Sequence, residues 1–398
     1  MLEIRSLTVG GRRSWTHWAL RPKFVGAALF VVLALCGGAG ASADEPFVPE
    51  LRIGDKAPRL VGLDWVQGKK VNSFKRGTVY VLDFWANGGR NRFSIPHVNA
   101  LAEKHRDASL DVIGIAAPLG NELDHVEAIV EWLGDEMSYK VAGDPERRSV
   151  EAFLTDSGSA TFFYPLSMVI DARGRLAWIG RADQGLAACV DDVLADRWDL
   201  DVARDAFEAE LNERDLAARK MGFVLSQVWQ AESDGRDLKE LEYSRRLVEA
   251  HPMYESWRLG CYSVLRRMGR LDEARAEALA YFDGPEGREP FELIELAYRI
   301  AVTDPTPEGE VVDLDIALMA AERAVELNQR WDPDVLSVKA TVHAARQEWA
   351  QAVALQTEAL ERAPDFEKPL LQASLDDFRA RLAEFESGGD VDSPGADS

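Results

Sequence analysis

The stretch "VLDFWANGGRNRFSIPHVNALAEKH", Val81 to His105, decides how the first half of the chain is read. With the residues before it, it opens as "TVYVLDFWA" (78–86), a β-branched, aromatic, apolar run with one acid, Asp83. That composition predicts a central strand buried on both faces. It closes as "HVNALAEKHR" (97–106), whose apolar residues recur at helical spacing. Between them lies a tight turn, Trp85-Ala86-Asn87-Gly88-Gly89-Arg90-Asn91-Arg92.

The same alternation extends to either side. "LDVIGIAA" (110–117) reads as a second buried strand, and "HVEAIVEWLGD" (125–135) as an amphipathic helix. "RRSVEAFLT" (147–155) is a short helix. "LSMVIDARGRLAWIG" (166–180) is a hairpin about Asp171-Ala172-Arg173-Gly174, and "GLAACVDDVLADRW" (185–198) a closing helix. Residues 51–200 are therefore expected to form an α/β domain, a mixed central sheet with helices on both faces. From 201 to 386 strand patterns stop and helical ones continue, which predicts a second, all-α domain.

The 398 residues carry a net charge of −22 and 46% hydrophobic residues, enough for two globular cores. Residues 1–43 read as a signal peptide. A basic start (Arg12, Arg13, Arg21, Lys23) precedes the apolar run 24–41 and a small-residue cleavage site, Ala41-Ser42-Ala43. An uncleaved anchor is the alternative, so a membrane partner is expected only in that case. Arg12-Arg13 hints at twin-arginine export, and Leu35 argues against Cys36 as a lipoprotein cysteine. The expected location is the periplasm or an equivalent compartment. Removing residues 1–43 takes away five Lys/Arg and one Glu, which moves the charge to −26. Such a surface repels nucleic acid, and no basic patch with interleaved aromatics offsets it. Residues 44–50 are a polar linker and 387–398 a solvated, disordered acidic tail.

The helical half contains a repeat. Ala274, Ala317 and Ala352 share one small-residue slot, which Glu240 fits less well, and the slots are spaced 34, 43 and 35 residues apart. The 43 is the same period with "DPTPEGEVVD" (304–313) inserted, and Pro252 and Pro364 stand where units end. Over about 215–370 this resembles tetratricopeptide repeats, although the Trp-Leu-Gly-Tyr positions of that family are mostly absent. The resemblance implies stacked helix pairs with a concave surface for protein or peptide partners, closed by a last helix near 367–386.

The first domain resembles thioredoxin-fold proteins of the AhpC/TSA–redoxin and TlpA-like group. The resemblance rests on Gly54-Asp55-x-Ala57-Pro58, Gly68, Lys75-Arg76-Gly77, Phe84-Trp85-Ala86, Ser94-Ile95-Pro96-His97 and "YPLSMVIDARGRLAWIG". It implies a turn that carries two cysteines, with a thiolate stabilised at the helix N-terminus. Counting from Trp85 puts those cysteines at Gly89 and Arg92; counting back from Pro96 puts them at Gly88 and Asn91. No cysteine stands at either pair, and the loop is one residue shorter than the family's. The resemblance also implies that Asp83 is the buried carboxylate that serves the second cysteine. Pro165 then takes the cis-proline place beside a peptide groove that Tyr164 narrows.

Dithiol exchange and peroxidatic chemistry at this turn both need a sulfur it lacks. Cys189 and Cys261, the cysteines beyond residue 43, read as small core residues, with an inter-domain bridge as a minor alternative. What the turn retains is a helix N-terminus, the Gly88-Gly89 backbone and the charges of Arg90 and Arg92. These residues, with Trp85 and Asn91, are candidates to hold a small anion. The plainer alternative has Gly-Gly closing the turn and the arginines solvated or paired with local acids. Asp83 is expected to pair with a base such as Arg92. None of the six histidines has metal-ligand spacing, His97 is a weak candidate for a role near the turn, and no phosphate-loop or dinucleotide fingerprint occurs, so no cofactor or metal is expected. The leading expectation is an exported scaffold or adaptor with a redox-inactive thioredoxin-like domain. The alternative is a thiol–disulfide oxidoreductase or peroxiredoxin relative acting through an atypical cysteine or a partner.

Overall fold

A computed structural model of the chain describes residues 48–86, 92, 94–117, 123–158, 165–250, 256–284, 286–303, 313–328 and 332–388. The expected signal peptide, most of the polar linker, the acidic tail from 389 and nearly all of the 304–313 insert lie outside the described residues. Among the described residues no helix is long and apolar enough to cross a membrane.

Among the described residues six strands form one sheet: β1 (Asp64–Gln67), β2 (Val79–Trp85), β3 (Leu110–Ala116), β4 (Lys140–Gly143), β5 (Leu166–Ile170) and β6 (Leu176–Gly180). Their order is β1-β4-β3-β2-β5-β6. β2, β3 and β4 run parallel, and β1, β5 and β6 pair antiparallel at the flanks. All seven residues of β2 are buried, as its unbroken apolar run requires of a central strand. Alternation sends Tyr80, Leu82 and Phe84 to one face and Val79, Val81 and Trp85 to the other. The second face is covered by α1 (Ile95–Lys104), α2 (Leu123–Leu133) and α4 (Leu186–Leu194). The short α3 (Arg148–Val150) and the helical turn Glu151–Thr155 lie against the first. The β5–β6 turn is closed by Asp171, whose Oδ1 accepts from the N–H groups of Arg173 and Arg175, and by Gly174 at φ +81°.

α5 (Leu200–Ser233) begins at Asp199, whose carboxylate caps the N–H groups of Asp201 and Val202. Its 34 residues span about 50 Å. Phe207 and Leu211, in its first half, complete the core under the sheet, while Val224, Leu225 and Val228 are buried further along. The first hydrophobic core thus extends past residue 200, along the same helix that opens the all-α region.

Among the described residues eight more helices follow: α6 (Asp237–Ala250), α7 (Trp257–Arg267), α8 (Leu271–Asp283), α9 (Pro290–Tyr298), α10 (Leu314–Leu327), α11 (Pro333–Ala345), α12 (Trp349–Arg362) and α13 (Lys368–Gly388). Consecutive helices pack as pairs, α5 with α6, α7 with α8, α9 with α10 and α11 with α12, and α13 packs on α12. Glu240, Ala274, Ala317 and Ala352 all fall on the second helix of a pair and all are buried. Three are the small residues a close helix crossing needs. The fourth, Glu240, buries a carboxylate that pairs with Arg267 at 2.8 Å, which is why it fits the pattern poorly.

Candidate functional site

Asp83 faces α1 from the middle of β2. Its register neighbours are Gly114 on β3 and Ser167 on β5. Ser167 Oγ donates to Asp83 Oδ1 and Ser94 Oγ, at the start of α1, donates to Oδ2, both at 2.7 Å. The carboxyl is fully buried, and burial pushes its pKa up to about 6, against the two hydroxyl donors that pull it down. Trp85 and Tyr139 close over the same spot. A Cβ on Gly114 would lie 2.9 Å from Tyr139 Cε2 and 3.0 Å from Trp85 Nε1, so only glycine fits between them. Burial, with Asp83 nearby, holds the Tyr139 phenol well above its ordinary value. The expected Asp83–Arg92 pair does not form. Two hydroxyls on the flanking strand and helix satisfy the carboxylate, and Arg92 is directed elsewhere.

Arg92 is fully buried. Its guanidinium donates from Nη1 to Glu367 Oε1 at 2.9 Å and from Nη2 to Asp332 Oδ2 at 3.3 Å. Its Cζ lies 5.3 Å from the ring centroid of Trp132 on α2. Burial pulls the guanidinium down, but Asp332, Glu367 and Asp334 more than offset it, so it stays charged. Asp332 also caps α11, its Oδ1 accepting from the N–H of Asp334. Glu367 belongs to the connection between α12 and α13. Two further contacts seat that connection on the α/β layer: Trp132 Nε1–H donates to the carbonyl of Arg362, and Phe366 stacks on His125 with ring centroids 4.6 Å apart. Arg92 is therefore neither solvated nor paired with local acids, and it is not available to an anion. Its partners lie 240 and 275 residues further along the chain.

Of the other residues singled out by the turn, Trp85 is fully buried, His97 is exposed and Pro165 is half-buried just before β5. Gly88, Gly89, Arg90, Asn91 and Tyr164 lie outside the described residues. Cys189 and Cys261 are both free and buried, so they form no bridge. Burial, then Asp192, holds the Cys189 thiol far above its ordinary value; burial, then Glu277, pushes the Cys261 thiol up to about 12. Among the described residues no three His, Cys, Asp or Glu side chains are arranged to hold a metal ion.

Sequence reasoning missed Asp332, Asp334, Glu367, Trp132, His125 and Phe366 in this cluster. Asp332-Pro333-Asp334 carries the signature of a capped helix start, but nothing local marks it as a partner for Arg92.

No family model matches the chain. It is similar to protein FixW of Rhizobium leguminosarum, at 25% identity over 138 residues, 33% of this chain. The chain spans 61% of the length of that curated relative. Among solved structures it is similar to a thiol:disulfide interchange protein of the thioredoxin family from Chlorobium tepidum, at 22% identity and a TM-score of 0.30, over 38% of this chain and 99% of that one. It is also similar to the thioredoxin domain of a thiol-disulfide oxidoreductase from Bacteroides vulgatus, at 19% identity and a TM-score of 0.29, over 36% of this chain and 99% of that one. The six-stranded mixed sheet of the α/β layer has a thioredoxin-like fold.

Proposed function

We propose that this chain is an exported interaction protein, a thioredoxin-like domain without dithiol chemistry joined to tetratricopeptide-like helix pairs that bind protein or peptide partners. The observation that carries this reading is the placement of Arg92. In the redox members of the family it resembles, this turn presents a reactive thiolate to substrate. Here the turn has no cysteine and ends in a fully buried guanidinium tied to Asp332 and Glu367 of the helical half. The segment that offered chemistry now serves as a joint between domains. The cysteines outside the leader do not replace the lost thiolate, since both are buried with raised thiol pKa values. The paired helices supply the partner surface, and the apolar run 24–41 with Ala41-Ser42-Ala43 supplies export.

A disulfide-reductase assay on the chain from residue 44 tests the redox half of the proposal, with a Cys189→Ser, Cys261→Ser variant beside it. The expected result is equal background turnover in both. Turnover that the double variant loses would establish the oxidoreductase alternative instead.

A further inference from the structure

Among the described residues the cluster around Arg92 holds more acid than base. The ionisable groups that face one another are Arg92 from the turn after β2, His125 from α2, Asp332 and Asp334 from the start of α11, and Glu367 from the α12–α13 connection. Asp365 and Lys368, on either side of Glu367, pair with each other at the surface. The single guanidinium spends Nη1 on Glu367 and Nη2 on Asp332. Asp334 Oδ1, Glu367 Oε2 and the guanidinium's own Nε are buried without a hydrogen-bond partner among the described residues. Among the described residues one guanidinium faces three carboxylates, of which Asp332 and Asp334 are buried and Glu367 is part-buried, so with these groups the closed cluster is stabilised by a proton on an acid.

We propose that this cluster is a proton-dependent clamp: with its proton it holds the α12–α13 connection on the α/β layer, and without it the connection lifts away and uncovers the face formed by Trp132 and His125. The inference does not depend on what the helical half binds. The clamp can open without unfolding the array, because α11, α12 and α13 share their own core of Ala340, Ala352 and Phe378, and because Gln356 holds the carbonyl of Leu371. The direction of the pH effect follows from the acids. Burial, then Asp332 and Glu367, holds the Asp334 carboxyl well above its ordinary value, and Glu367 is also raised, chiefly by burial. The closed state therefore binds a proton that the open state has released. Closure is strongest below the ordinary carboxylate range and weakens as pH climbs through the raised values.

Hydrogen–deuterium exchange on the full chain tests this from about pH 5 to about pH 9, with rates corrected for the intrinsic rise of exchange with pH. The amides of Glu367 and Lys368, both bonded to the carbonyl of Pro364, report on the connection. Their protection is expected to fall by about tenfold or more over that range, one pK unit of coupling being tenfold, while the amides of β2 stay protected. Asp334→Asn and Glu367→Gln each remove one acid without needing a proton, and each is expected to keep the connection protected at the alkaline end. Protection in the wild type that does not change with pH overturns the proposal. So does an unshifted pH midpoint in both variants.

Discussion

Burying Asp83 between Ser94 and Ser167 gives the α/β layer an acid whose ionised form is expensive. With its pKa raised from 3.8 to about 6, the native state holds a proton that the unfolded state has lost throughout that interval. Stability is therefore greatest below the lower value, falls as pH rises through the interval, and levels off above it, a loss of roughly 3 kcal/mol at most. Asp83→Asn is expected to remove that part of the slope and to be more stable than the wild type at pH 8, as read by denaturant midpoints at several pH values. An unchanged slope would mean that Asp83 is not the titrating group. Gly114 sets a second limit at this scale. Gly114→Ala should cost about 1–3 kcal/mol, because its methyl group meets the rings of Tyr139 and Trp85 in a packed core. The denaturant midpoint again checks it.

At the scale of elements, the slot on the second helix of each pair is a packing requirement. Ala317 and Ala352 are fully buried, so Ala317→Leu or Ala352→Leu should each destabilise by about 1–3 kcal/mol. Met319→Leu, on the exposed side of the same α10, should stay within about 0.5 kcal/mol in thermal unfolding. The slots were legible in the sequence because the same crossing recurs at the same phase, and three of the four times it takes an alanine. The strands were legible for a similar reason: β2, β3 and the β5–β6 hairpin lie within continuous apolar runs bounded by turn residues. What local pattern could not show is α5, which reads as one helix but serves two cores. Phe207 and Leu211 carry the same helical spacing as Val224 and Leu225, so periodicity alone does not say which core each enters.

The joint between the two halves belongs to the whole molecule, and there the sequence is least informative. Asp83 was readable as a buried carboxyl because it stands inside the apolar run of a central strand, but its partners Ser94 and Ser167 were not, and the expected pair with Arg92 does not form. Arg92 was marked as unusual for its charge on the turn, yet its partners are set by tertiary packing between segments more than 200 residues apart. The same packing makes the α/β layer depend on the helical half. Its face beneath the sheet is completed by Phe207 and Leu211, and Phe366 packs against the opposite face. A fragment ending at residue 199 exposes all of these sites and leaves Arg92 without its carboxylates. Loss of the partners of a buried charge costs about 3–5 kcal/mol, or forces the group out into water. Burying two large apolar side chains contributes a further few kcal/mol at about 1.5–3 each. Residues 48–199 are therefore expected to be marginally folded at best, residues 48–233 more stable because α5 is restored, and residues 48–388 the most stable. Circular dichroism melts of the three purified chains check that order. Equal melting temperatures for the shortest and longest would show that the α/β layer stands alone and that the helical half merely rests on it.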